Sequence, residues 1–315
     1  MTTPFARYPD GIIRIDTGYW RAGFAASYLL VEGEEAVFIE TGPSRAVPVL
    51  LQALAFAGVA KEQVRAILVT HVHLDHAGGA GALQRHLPNA ELLVHPKGIR
   101  HLLEPAKLQA GAEAVYGAEQ FETILGGITP ADGQRTRAVG DGEVYLLNGR
   151  RLQFIDAPGH ANHHHCIWDA QSGGIFSGDA AGISYRLFDQ GEELLLMPAT
   201  TPVQFDLAAS HQTLDRLAAL GARWNFVTHF GRIPFNPLLT DRLHRLLDQF
   251  AALSGRYVGQ PEGESALQEA LQQLAWQELQ HNGQPLVSEA VCRDWLTMDC
   301  ALNAQGLRIW RERAG

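Results

Sequence analysis

Cysteine is nearly missing from this chain of 315 residues. Cys166, Cys292 and Cys300 are too few and too scattered for a disulfide framework. The eight-residue step from Cys292 to Cys300 matches no common zinc spacing. Buried apolar thiols in a reducing cytoplasmic setting are expected. Long hydrophobic runs are missing too. None approaches the roughly 18 residues that span a bilayer, so no membrane association is expected. The first residues, Met1-Thr2-Thr3-Pro4-Phe5, show no basic stretch followed by an apolar one, so no signal peptide is expected. Positive charge is in deficit: the formal net charge is −9, and no window is strongly basic. That excludes a nucleic acid held by its phosphates. There is no internal repeat and no low-complexity linker.

What is present fits a folded enzyme-sized chain. Hydrophobic residues make up 46% and charged residues 19%, enough for an ordinary core. Residues 11–16, 26–31 and 36–40 read as β-strands separated by Gly and acidic turns. Residues 44–57 carry Val47, Leu50, Leu51 and Leu54 at helical spacing, and Gly58 follows as a stop. A short buried strand at 66–69, a helix at 78–87 and a strand at 91–94 continue the alternation. Residues 97–135 are helical in character and read as an insertion. Strands return at 143–147, 151–156, 166–169 and 174–177, then a helix at 205–220 and a strand at 224–227. Helices are expected at 238–253, 264–280 and 288–302. The boundaries that follow are a main domain at 1–235 and a C-terminal helical extension at 236–315. Its apolar stripe (Leu239, Leu243, Leu246, Leu247, Phe250) either caps the domain or makes a homodimer contact.

Four short stretches share one grammar: a buried strand ends, and a metal-competent side chain follows. "VTHVHLDHAGG" carries His71, His73, Asp75 and His76; "FIDAPGH" ends in His160; "GIFSGDA" leads to Asp179; "WNFVTHFG" leads to His229. Strand ends are rigid supports from which loops aim side chains. His229 or Asp179 alone would be an ordinary turn residue. The crowding of His71 to His76, with three partners in matching contexts, points to metal. Five imidazoles and two carboxylates suit zinc, iron or manganese, whereas calcium and magnesium prefer oxygen. Seven ligands exceed one tetrahedral ion, and two ions sharing a carboxylate fit the count.

The pattern Thr70-His71-Val72-His73-Leu74-Asp75-His76, then Pro158-Gly159-His160, Gly178-Asp179 and Thr228-His229, resembles the metallo-β-lactamase superfamily, and within it the glyoxalase II-like hydrolases. The resemblance runs from about Gly11 to about Gly231. It implies an α/β fold in the form of an αββα four-layer sandwich, two mixed β-sheets flanked by helices. It divides the ligands: His71, His73 and His160 on one ion, Asp75, His76 and His229 on the other, and Asp179 between them. Two divalent ions are implied, zinc first, with iron or manganese as alternatives. The chain departs from the family's Pro-Gly-His-Thr-x-Gly-His at Ala161 and His163. His164 falls where the family's second histidine stands and is assigned to supporting or lining the pocket. His163 and His165 are expected to face solvent or to orient their neighbours, because with alternation along a strand the three histidines cannot all point inward. No basic cluster follows His229 to hold glutathione; Arg232 stands alone.

The expected chemistry is hydrolysis of an ester, thioester, lactone or phosphotriester by hydroxide bridging two metals, with Asp75 also accepting a proton. The partner is then a small-molecule substrate. The insertion at 97–135 and the segment after Asp179 are placed to wall the crevice, with Tyr185 and Phe188 as candidate lining residues or simply packing residues. The alternatives are a mononuclear iron thiol dioxygenase and a ligand-binding or regulatory relative with little turnover.

Overall fold

The computed structural model describes residues 3–190, 193–283 and 285–314. They form two compact units that interleave along the chain. The first is 1–156, 163–178 and 228–231; the second is 157–162, 179–227 and 232–315.

The first unit is built on a seven-stranded sheet in chain order: β1 (Phe5–Arg7), β2 (Ile12–Asp16), β3 (Ala26–Glu32), β4 (Glu35–Ile39), β5 (Val64–Leu68), β6 (Glu91–Val94) and β7 (Thr136–Ala138). The first four are antiparallel, and β4 to β7 run parallel. Antiparallel neighbours need only a turn, and β3 reverses into β4 through Gly33 at φ 57°. Parallel neighbours need a crossover, which here is helical. α1 (Val47–Ala57) links β4 to β5. α2 (Leu74–Ala77) and α3 (Ala80–Gln84) link β5 to β6. α4 (Ile99–Leu103), α5 (Ala106–Tyr116) and α6 (Ala118–Ile124) link β6 to β7. α1 stops at Gly58, which adopts the left-handed conformation.

Strand parity explains the layering. Ile13, Ile15, Leu29, Phe38 and Ile67 join Leu50 and Leu54 of α1 and Leu83 of α3 in one apolar cluster. Residues of the opposite parity, including Tyr28, Leu30, Val37, Ile39 and Leu68, are also buried, so both faces of the sheet are covered. The second cover is a sheet of antiparallel strands: β8 (Val144–Leu147), β9 (Arg150–Asp156), β10 (His165–Asp169) and β11 (Gly174–Gly178). Tyr28 meets Phe176 across the layers with ring centroids 5.2 Å apart. A buried guanidinium also joins them: Arg150 pairs with Asp169 and reaches Glu32 at 3.1 Å and the Asp10 carbonyl at 2.6 Å. Losing one partner of such a buried pair would leave a charge uncompensated.

In the second unit, α7 (Leu207–Ala218) is capped by Asp206, which accepts from Ala209 N at 2.8 Å. β12 (Trp224–Val227) and β13 (Gly231–Pro234) run side by side. α8 (Pro237–Tyr257), α9 (Gly263–His281), α10 (Glu289–Trp295) and α11 (Thr297–Ala314) follow. Leu239, Leu243, Leu246, Leu247 and Phe250 of α8 are all buried within this chain. α8 packs on α7, α9 and α11.

Three differences from the sequence reading have plain causes. β1, β7 and β13 are strands of three or four residues, too short to show alternation. The helix expected at 78–87 is two short helices, the first already begun at Leu74, because Gly78-Gly79 interrupts it. The helix expected at 288–302 breaks at Leu296, and α11 continues to Ala314. Among the described residues no helix is long and apolar enough to cross a membrane.

Candidate metal centre

The first unit gathers five of the seven expected ligands. β5 ends at Leu68, and His71 follows within three residues, fully buried. His71 Nε2 lies 2.9 Å from His73 Nδ1, and the rings of His71 and His76 are 4.0 Å apart. α2 carries Asp75 and His76 on its single turn. Asp75 Oδ2 is 3.2 Å from His229 Nε2 and 3.7 Å from His76 Nε2. The donor atoms of Asp75, His76 and His229 all lie within 4.8 Å of one another. Asp75 is about a fifth exposed, while His76 and His229 are closed to solvent.

The far nitrogen of each buried ring is held. His229 Nδ1 donates to the Phe24 carbonyl at 2.8 Å, and His76 Nδ1 to Glu40 Oε1 at 3.2 Å. His71 Nδ1 meets Thr70 Oγ1 at 3.0 Å, and that hydroxyl donates to Glu40 Oε1. The Thr70 amide donates to Glu40 Oε2 at 3.3 Å. A ring whose Nδ1 carries the proton presents its Nε2 lone pair, so these bonds fix the tautomers that a metal ligand needs. The residues fit a divalent metal on this ground. Glu40, His71 and His76 also satisfy the spacing of a three-donor group. Glu40 acts behind the imidazoles, however, since both its oxygens serve Thr70 and His76. The sequence reading ended a strand at Glu40 without assigning it a role. Its signal was there, an acid at a strand end in "FIETG", the same grammar as the other motifs. Its backbone is left-handed, at φ 63°.

His163, His164 and His165 are all buried, so the expected alternation does not sort them. The strand β10 begins only at His165; His163 lies in a turn, and His164 between that turn and the strand. His164 stacks on His71 with centroids 4.6 Å apart. His163 meets the rings of His73 and His101 edge-on. His165 donates from Nε2 to the Val69 carbonyl at 2.8 Å. Burial first, and then the charge of His95, press its pKa down to about 3, so the ring stays neutral.

The second unit brings the other two expected ligands together. His160 Nε2 is 3.5 Å from Asp179 Oδ2, and both residues are buried. His160 Nδ1 donates to the Ala199 carbonyl at 2.9 Å, the same tautomer-fixing arrangement. Tyr185 and Phe188 stand in this unit's core. Both pack edge-on against Trp295 of α10, and the Tyr185 hydroxyl donates to Asp299 Oδ1 of α11 at 2.9 Å. Packing is the role their surroundings describe.

The metallo-beta-lactamase superfamily matches residues 20–229. Human acyl-coenzyme A thioesterase MBLAC2 is 31% identical over 195 residues, 54% of this chain and 63% of that protein. Hydroxyacylglutathione hydrolase of Aeromonas salmonicida is 29% identical over 199 residues, 62% of this chain and 58% of that protein. The chain thus spans less than two thirds of the length of either relative. A crystal structure of an archaeal metallo-beta-lactamase superfamily protein from Sulfolobus tokodaii superposes with a TM-score of 0.67 at 23% identity, covering 96% of this chain and 99% of the other. It shares the fold: two β-sheets flanked by helices, with C-terminal helices beyond. With the histidine-rich loop after β5 and the match to residues 20–229, the chain belongs to the metallo-beta-lactamase superfamily.

Proposed function

We propose that this protein is a metal-dependent hydrolase of thioesters. The observation that carries the reading is the buried cluster of His71, His73, Asp75, His76 and His229, in which three of the four imidazoles have their far nitrogen tied to a fixed acceptor. Two relatives act on acylated thiols by their names, an acyl-coenzyme A thioesterase and a hydroxyacylglutathione hydrolase. The four motifs support two ions, zinc foremost, with the ligands divided as the resemblance implies: His71, His73 and His160, then Asp75, His76 and His229, with Asp179 shared. Bound divalent ions supply Lewis acidity and ionise water near neutral pH.

The chain's own residues do the rest. Asp75, partly open to solvent while its histidine neighbours are closed off, is the group placed to take the proton that the attacking water gives up. The water oxygen bonds to the acyl carbon, the carbon–sulfur bond breaks, and the thiol leaves with a proton. His164, stacked on His71, keeps that ring from tilting. Glu40 and Thr70 hold His71 and His76 in register. No basic cluster follows His229, which favours a thiol recognised by something other than glutathione's carboxylates. The thiol dioxygenase alternative is not favoured, because both relatives are hydrolases. His71→Ala should abolish release of free thiol from an acyl-coenzyme A series, read with a thiol-trapping dye. Unchanged turnover in that variant would defeat the proposal.

A further inference from the structure

The C-terminal helix α11 is not merely packed within the second unit; it grips the loop that holds His160. His160 Nδ1 donates to the Ala199 carbonyl at 2.9 Å. Both residues flanking Ala199 are bound by one side chain. Asn303 Oδ1 accepts from Thr200 N at 2.6 Å and from Thr200 Oγ1 at 3.0 Å. Asn303 Nδ2 donates to the Pro198 carbonyl at 3.2 Å. Thr200 and Asn303 are closed to solvent, so these bonds do not compete with water.

The helix sits unusually close at this point. A Cβ on Gly306 would overlap the Thr200 carbonyl oxygen, so only glycine admits the approach. Further along, Arg313 donates to the Phe205 carbonyl at 2.6 Å and Trp310 packs edge-on against the Phe205 ring. The loop is therefore fixed to α11 at both ends.

We propose that Asn303 is a positioning residue. By clamping Pro198 and Thr200 it fixes the Ala199 carbonyl, which in turn sets the tautomer and direction of His160 so that Nε2 faces Asp179. The inference rests on the metal-centre reading above and adds that a helix outside every ligand motif tunes metal affinity. A side chain that orients a ligand through a hydrogen bond commonly changes metal affinity by roughly 10- to 100-fold. Acting one bond further away, Asn303 belongs at the lower end.

The test titrates zinc into the metal-stripped full-length protein against a chromophoric chelator. The wild type should take up two ions. Asn303→Ala should hold one of them about tenfold more weakly. Asn303→Asp keeps the acceptor for Thr200 but loses the donor to Pro198, and should fall between the two. Gly306→Ala, which pushes the same loop away by bulk, should loosen the same ion. Arg308→Ala, on the exposed side of α11, should leave affinity unchanged. Melting curves of the metal-free proteins run alongside. A lower melting point with wild-type zinc affinity would overturn the proposal, leaving Asn303 a packing residue only. If Asn303→Ala does not fold, wild-type affinity in Asn303→Asp and Gly306→Ala overturns it equally. Failure of the underlying metal-centre reading looks different, since the wild type itself would then bind no zinc.

Discussion

A carboxylate with almost no contact with solvent, Glu40, receives the Thr70 hydroxyl, the Thr70 amide and His76 Nδ1. A glutamine there could not accept all three, because its amide nitrogen is a donor. Glu40→Gln should therefore lower kcat/KM by roughly 10- to 100-fold while the chain stays folded, as far-ultraviolet circular dichroism would report. His165 makes a second residue-scale prediction. Its pKa lies at about 3 in the folded chain, below the ordinary 6.5. Between those values the unfolded chain binds a proton that the folded one refuses. The stability from this group is full above pH 6.5 and falls as the pH drops toward 3. The slope is at most ~1.4 kcal/mol per pH unit. In urea denaturation from pH 7 to 4.5, His165→Phe should flatten the curve relative to wild type. An identical slope would show that His165 does not carry it. His71, His73, Asp75 and His76 stand out in the sequence as a group, because four metal-competent side chains crowd beyond one strand end, whereas His229 or Asp179 alone has the composition of an ordinary turn. Glu40 does not stand out in the same way, because a lone acid before Thr-Gly-Pro, although it follows a strand, also has the composition of an ordinary turn. The cysteines read correctly as buried, and burial lifts the Cys292 thiol to about 11, which leaves it unreactive.

At the scale of elements, the strands deliver the chemistry and the glycines beside them permit it. β11 ends at Gly178, with φ 52°, and a Cβ there would collide with Thr70 Oγ1 and come within 2.7 Å of His164 Nε2. Gly178→Ala should push Thr70 and His164 off His71. The expected result is an enzyme that folds and loses at least tenfold in kcat/KM, because the His71 ring is no longer held. Undiminished activity would show that the close approach is incidental. The strands with period-two burial and the long amphipathic helices were legible, since several turns of periodicity average out local noise. α8 is the clearest case: Leu239, Leu243, Leu246, Leu247 and Phe250 read as one stripe and are buried as one. The three-residue strands were not legible, because pairing with a neighbour, not their own pattern, makes β1 and β7 strands.

At the scale of the whole molecule, membership in the superfamily and the two flanked sheets followed from the motifs. What the sequence could not separate was how helices outside the motifs contribute. The stripe on α8 read equally well as a cap or as a dimer contact, and it is buried within its own chain. α11 carries no metal-competent motif, and its grip on residues 198–200 depends on partners about a hundred positions away. The central claim is that this chain holds two metal ions and uses them to hydrolyse thioesters. The most direct test measures metal content and acyl-thioester hydrolysis on the same preparation, stripped with a chelator and then reloaded with zinc. The account predicts two zinc ions per chain, activity lost on stripping, and activity restored on reloading. Full hydrolysis by the stripped chain would contradict it, as would a single ion per chain accompanied by oxygen uptake with a thiol.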